Sequence, residues 1–110
     1  MSRQVQDAYI VAATRTPIGK APKGMFRHHR PDDLLVQAIR GALAQVPSLD
    51  PATIEDAIVG CAIPEAEQGL NMARIAVLLA GLPVSVGGVT VNRFCASGLT
   101  ALAMAADRIR

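Results

Sequence analysis

Gly88-Val89-Thr90-Val91-Asn92-Arg93-Phe94-Cys95-Ala96-Ser97-Gly98 is the stretch whose reading decides the fold. Its first half, residues 88–93 (GVTVNR), is β-branched at Val89, Thr90 and Val91 and reads as a strand. Residues 96–110 are rich in Ala and Leu and read as a helix. Cys95 therefore stands at a strand-to-helix junction. Such a junction is one half of a βαβ unit, so the preceding elements should repeat the alternation.

They do. Upstream, residues 72–80 are apolar almost all round apart from Arg74, with Asn71 as a capping residue and Gly81 and Pro83 as stop signals. A helix of that kind has to be covered on several sides. Residues 57–63 (AIVGCAI) form a continuous apolar run bounded by Pro64, a second strand, and Asp50 before Pro51 can cap a short helical turn ahead of it. A longer helix begins at Pro31, where proline suits the first position and Asp32 and Asp33 face the positive end of the macrodipole. Leu35, Ile39, Ala42, Leu43 and Val46 recur at helical spacing until Pro47 stops it. Residues 18–30 hold Gly19, Pro22 and Gly24 with four early cations, Lys20, Lys23, Arg27 and Arg30, and read as a loop. Residues 8–13 (AYIVAA) suit a buried first strand.

The resulting order, βαβαβα, predicts an α/β fold with a mostly parallel sheet and helices on its faces. Within 110 residues this makes one modest domain. The last helix runs to Arg110 with no Gly or Pro stop, and three parallel strands leave open edges, so residues 1–110 are expected to be the first part of a larger unit.

Composition narrows the function. The chain is 51% hydrophobic with no Trp, so its core must be built from aliphatic residues. A net charge of +2 is too small for phosphate-driven binding, which excludes nucleic acid as the expected partner. Cys61 and Cys95 lie 34 positions apart without metal-ligand spacing, and no zinc site is expected. No apolar run approaches the roughly 18–20 residues of a membrane span, and the first residues are not signal-like, which predicts a cytoplasmic protein with reduced thiols.

Cys95 is the candidate nucleophile. Unpaired N–H groups and the dipole at the start of a helix favour a thiolate, and Ala96, Ser97 and Gly98 are small enough for an acyl group or another backbone to come close. A helix terminus contributes only about 0.3–2 kcal/mol, so a base and further oxyanion donors have to come from elsewhere. The bland alternative is a small buried hydrophobe. Cys61, in an apolar run, reads as inert core. His28 and His29 lie in a basic loop without a carboxylate partner and read as solvated rather than as the missing base. Residues 19–24 have the gap of a phosphate loop, but Met25 and Phe26 stand where Lys and Ser or Thr belong. The four early cations read as a solvated face before they read as phosphate ligands.

The stretch Val91-Asn92-Arg93-Phe94-Cys95-Ala96-Ser97-Gly98 resembles the nucleophile motif of the thiolase family. Residues 13–19 (ATRTPIG) are similar to that family's post-strand loop, Gly24-Met25-Phe26 to its continuation, and Asn71-Met72-Ala73-Arg74 to the start of its second main helix. The long first loop and residues 67–71 (EQGLN) most resemble the degradative 3-ketoacyl-CoA thiolases. The resemblance implies two similar halves packed as layers of helix, sheet, helix, sheet and helix, of which residues 1–110 begin the N-terminal domain. It implies acylation of Cys95 by a 3-ketoacyl-CoA with release of acetyl-CoA, then removal of the acyl chain by CoA. The Cys95 N–H would serve an oxyanion hole, and Asn92 and Arg93 would be architectural, near a dimer interface. Acyl-CoA and CoA enter as substrates, with no metal or bound organic cofactor, in a homodimer, a homotetramer or a fatty-acid β-oxidation complex. The family's activating histidine, second catalytic cysteine and water-holding Asn belong to later segments whose motifs are not in this sequence, so the chain alone is expected to be inactive. A ketoacyl-synthase-like condensing enzyme and a non-catalytic assembly fragment are the alternatives.

Overall fold

The structure, a computed structural model, describes residues 4–110. Its elements in chain order are α1 (Pro31–Ala44), β1 (Asp56–Gly60), α2 (Met72–Leu79), β2 (Gly87–Val91) and α3 (Ser97–Ile109), with short 3₁₀ turns at Pro51–Thr53 and Ala66–Gln68. β1 and β2 pair in parallel from Asp56 opposite Gly87 to Gly60 opposite Val91. One more rung follows, in which the Cys61 N–H donates to the Val91 carbonyl at 2.9 Å.

Two glycines show which face each helix covers. A Cβ at Gly88 would collide with the backbone of Arg74 at the start of α2, and one at Gly60 with the backbone of Ser97 and Gly98 at the start of α3. Gly88 lies opposite Ala57, three residues before Gly60, and side chains alternate along a strand, so the two contacts lie on opposite faces. α2 therefore covers one face of the sheet and α3 the other, while α1 packs on α2. Fully buried Val77 and Val86 lie at the centre, with Ala73 and Ala76 of α2 beside them.

Local chemistry accounts for the helix starts. Pro31 opens α1, but Arg30 in front of it makes no side-chain cap; its guanidinium instead donates to both oxygens of buried Asp32, the shortest contacts being 3.0 Å. That hydrogen bond, with the charge behind it, holds the Asp32 carboxyl below the usual carboxylate range. Asp50 accepts from the Ala52 N–H, as its position predicts. Asn71 caps α2 by accepting from the Arg74 N–H at 3.4 Å and ties the helix to β2 by donating to the Gly88 carbonyl at 2.8 Å. Thr90 completes the tie: its hydroxyl donates to Asn71 Oδ1 at 2.8 Å and accepts from the Ala73 N–H at 3.1 Å.

Several expectations need correction. Residues 8–13 form no regular element and pair with no strand among the described residues, so the sheet has two strands instead of three and the order becomes αβαβα. A strand exists only by hydrogen bonding to a neighbour, and here the neighbour is a side chain: the Gln45 amide, just past α1, donates to the Ala13 carbonyl at 2.8 Å and accepts its N–H at 3.0 Å. Tyr9, Ile10 and Val11, expected to be buried, are 72–77% exposed. On α1 the deeply buried apolar side chain is Val36, with Leu35, Ile39, Ala42 and Leu43 half-buried around it. α3 is covered along Ser97, Ala101 and Ala105, whereas Leu99 and Leu102 face outward, so this helix is buried on one side only. None of the described helices is long and apolar enough to cross a membrane.

Candidate active site

The Cys95 thiol is free and exposed, and it lies in the turn between β2 and α3. This is the strand-to-helix junction that the residue pattern predicts, shifted by one position: Ala96 occupies the cap and Ser97 begins the helix. The turn is narrow. Ala96 N–H donates to the Arg93 carbonyl at 3.0 Å and Ser97 N–H to the Phe94 carbonyl at 3.1 Å, so these two donors are already committed.

A turn this tight forces Phe94 into the left-handed region, with φ 47°. For a non-glycine residue such a conformation costs on the order of 1–3 kcal/mol and persists only where the surroundings hold it. Three side-chain bonds do so. Asn92 Oδ1 accepts from the Phe94 N–H at 2.9 Å, Ser97 Oγ accepts from the Arg93 N–H at 2.9 Å, and the Ser97 hydroxyl donates to the Phe94 carbonyl at 2.6 Å. At about 0.5–1.5 kcal/mol each, they are of the size needed to offset the strain. Ser97 is 4% exposed, so its hydroxyl has no competing water.

The remaining predicted candidates fall elsewhere. Cys61 is buried and follows β1 directly, as expected of core. His28 and His29 are exposed in the loop before α1, where His29 meets Phe26 edge-on with centroids 5.5 Å apart. Of the four early cations, Arg30 is tied to Asp32 and to Glu67 at 3.6 Å, and Arg27 donates to the Gly24 carbonyl, leaving Lys20 and Lys23 as the exposed charges without a partner of that kind among the described residues. A cavity of about 380 Å³ lined by Ile18, Pro22, Phe26 and Leu34 belongs to this loop and not to the Cys95 turn. An apolar groove of about 280 Å³ runs between Tyr9 and Ile10 on one side and Leu102, Ala105 and Ile109 of α3 on the other. Among the described residues no group of three or more His, Cys, Asp or Glu could hold a metal ion.

Residue reasoning missed the roles of Asn92, Ser97 and Gly60 in shaping this turn. Asn92 carried a usable signal, since Asn accepts from the N–H two residues on. Gly60 carried none, because its partner depends on how a strand and a helix distant in sequence come together.

Comparison with known proteins gives a consistent result. A family model described as the thiolase N-terminal domain matches residues 8–110. A 3-ketoacyl-CoA thiolase of Bacillus subtilis is 50% identical over 105 residues, covering 96% of this chain and 27% of the relative. A 3-ketoacyl-CoA thiolase of Saccharophagus degradans is 48% identical, covering 99% of this chain and 28% of the relative. The crystal structure of an acetyl-CoA acetyltransferase from Bacillus anthracis superposes with a TM-score of 0.86 at 33% identity, covering 96% of this chain and 26% of that one. A thiolase of Ascaris suum in complex with coenzyme A gives 0.84 at 32% identity, over 94% and 26% of the two chains. The chain thus spans about a quarter of the length of the relatives it matches.

Proposed function

The chain belongs to the thiolase family, and from that premise we propose that it supplies the acyl-accepting cysteine, Cys95, of an enzyme that cleaves 3-ketoacyl-CoA with CoA. The observation that carries the reading is an exposed thiol at the mouth of a strained turn, directly before a helix. The names of the relatives supply the substrate class.

In the first step the Cys95 thiolate attacks the 3-keto carbon. The oxygen gains the electron pair, and the backbone N–H of Cys95 helps to hold that charge. Collapse of the adduct breaks the C2–C3 bond, acetyl-CoA departs as its enolate, and the proton first removed from the thiol returns to that carbon through a base outside residues 1–110. In the second step CoA, deprotonated by a base, attacks the new thioester, and the sulfur of Cys95 leaves as thiolate and recovers a proton. Neither His28 nor His29 supplies the base, both lying in the exposed loop before α1. Covalent capture divides one difficult displacement into two easier ones.

Residues 1–110 make up the first part of the N-terminal domain in this reading, acting within a homodimer or homotetramer in the cytoplasmic breakdown of fatty acids. Support for a larger assembly comes from the outward apolar side chains of α3, Leu99 at 72% and Leu102 at 51% exposure, which are more than a solvated helix needs. The resemblance of residues 67–71 to the degradative branch supports the pathway.

The test is mass spectrometry of the protein purified from its own gene after brief exposure to a 3-ketoacyl-CoA without CoA. An acyl group on the peptide carrying Cys95, discharged when CoA is added, is the expected result. Acylation elsewhere, or none while acetyl-CoA is still released, would remove Cys95 from the reaction.

A further inference from the structure

We infer that Ser97, assisted by Asn92, is a positioning residue that aims the Cys95 sulfur by holding Phe94 in the left-handed conformation. The inference rests on the reading of Cys95 as acyl acceptor. It adds a device that the choice of nucleophile alone does not require.

Phe94 is an unfavourable residue at φ 47°, and it is 75% exposed, so packing of its side chain within this chain does not account for the conformation. The hydrogen bonds do. Ser97 spans the turn, with its oxygen on the Arg93 N–H and its proton on the Phe94 carbonyl, and so grips the peptide units on both sides of the strained residue. Asn92 grips the Phe94 N–H from the strand side. Cys95 follows Phe94 directly, so a change of φ there swings its Cα–Cβ bond through a large arc. Ser97 is itself anchored from below, where Gly60 lets the β1 backbone come against it. The chain of support runs from the strand register through Gly60 and Ser97 to Phe94 and Cys95.

This chain of causes has a specific signature. Glycine occupies the left-handed region at almost no cost, so Phe94→Gly should make the turn independent of the serine. The experiment compares the full chain with its Ser97→Ala, Phe94→Gly and doubly substituted forms. Two quantities are read: the rate of iodoacetamide alkylation at Cys95 relative to Cys61, and the sign of the Phe94 φ from its intraresidue HN–Hα NOE, strong only at positive φ, wherever phenylalanine is present. Ser97→Ala should move φ out of the left-handed region and lower the Cys95 rate about tenfold, because the exposed sulfur turns in against the chain where the reagent reaches it less easily. Adding Phe94→Gly should return the rate to within about threefold of the parent. If Ser97→Ala leaves φ and the rate unchanged, or if glycine fails to rescue, the inference is wrong. Should Ser97→Ala unfold the chain, shown by Cys61 reacting as fast as Cys95, Asn92→Ala carries the same comparison, because it removes one exposed bond and no buried group. Alkylation needs no acyl donor. A Cys95 that alkylates in this pattern but never accepts an acyl group would therefore overturn the proposed function and leave the positioning role intact.

Discussion

Replacing Gly60 with Ala tests whether the contact between β1 and the start of α3 sets the geometry of the Cys95 turn. The added Cβ would lie 2.4 Å from the Ser97 carbonyl carbon, 2.5 Å from the Gly98 nitrogen and 2.6 Å from the Ser97 oxygen. All three are backbone atoms that cannot rotate aside. Relief requires the helix start to retreat by roughly 1 Å, and overpacking of this kind costs about 1–3 kcal/mol. Alanine also narrows the unfolded ensemble, which returns about 0.4–1 kcal/mol. The net loss is about 1–2 kcal/mol, or a fall of about 4–16 °C in Tm for a domain of this size. Thermal unfolding followed by circular dichroism measures it. Gly98→Ala is the internal comparison, because nothing lies within 4 Å of its Cβ and alanine favours a helix by up to about 1 kcal/mol. Retreat of Ser97 also moves the turn, so acyl capture at Cys95 should slow by about a hundredfold in Gly60→Ala. A Gly60→Ala protein as stable as the parent, or a Gly98→Ala protein that is the less stable of the two, would refute the geometry.

Three further outcomes follow from the same structure. Thr90→Val strands the Ala73 N–H and removes the hydroxyl that bonds Asn71, so urea titration should show a loss of about 1–3 kcal/mol, largely restored by Thr90→Ser. The depressed carboxyl of Asp32 contributes stability that is complete above its unfolded pKa of about 3.9 and drains away as the pH falls through the lower folded value; melting curves of the parent and Asp32→Asn should differ above about pH 4 and converge below it. Under native conditions iodoacetamide should label exposed Cys95 well before buried Cys61, read by peptide mapping, and equal rates would contradict the burial of Cys61.

Elements whose causes are local were legible in the sequence. Pro31 with its acidic first turn, the Asn71 cap and the β-branched run ending at Val91 each carry their own signal, and each stands where the pattern puts it. The placement of Cys95 between strand and helix was readable for the same reason. Residues 8–13 show the opposite case: their apolar, β-branched composition says only that they are fit to pair, while pairing depends on a partner strand, and Gln45 occupies the rung at Ala13 instead. The strain at Phe94 was illegible because phenylalanine argues against a positive φ; it is imposed by Asn92 and Ser97 together with the β1 backbone. Glycine within a strand ordinarily weakens it, yet Gly88 and Gly60 are each the place where a helix backbone comes down onto the sheet. Their meaning lies in register, a relation between residues 31 apart in the chain.

The shielded hydroxyl of Ser97 has a practical consequence for spectroscopy. Most serine hydroxyl protons exchange with water too fast to be seen, but one buried at 4% exposure and committed to a carbonyl 2.6 Å away should exchange slowly. Its resonance would then be a native probe of the nucleophile's setting, reporting without any label whether that setting is assembled.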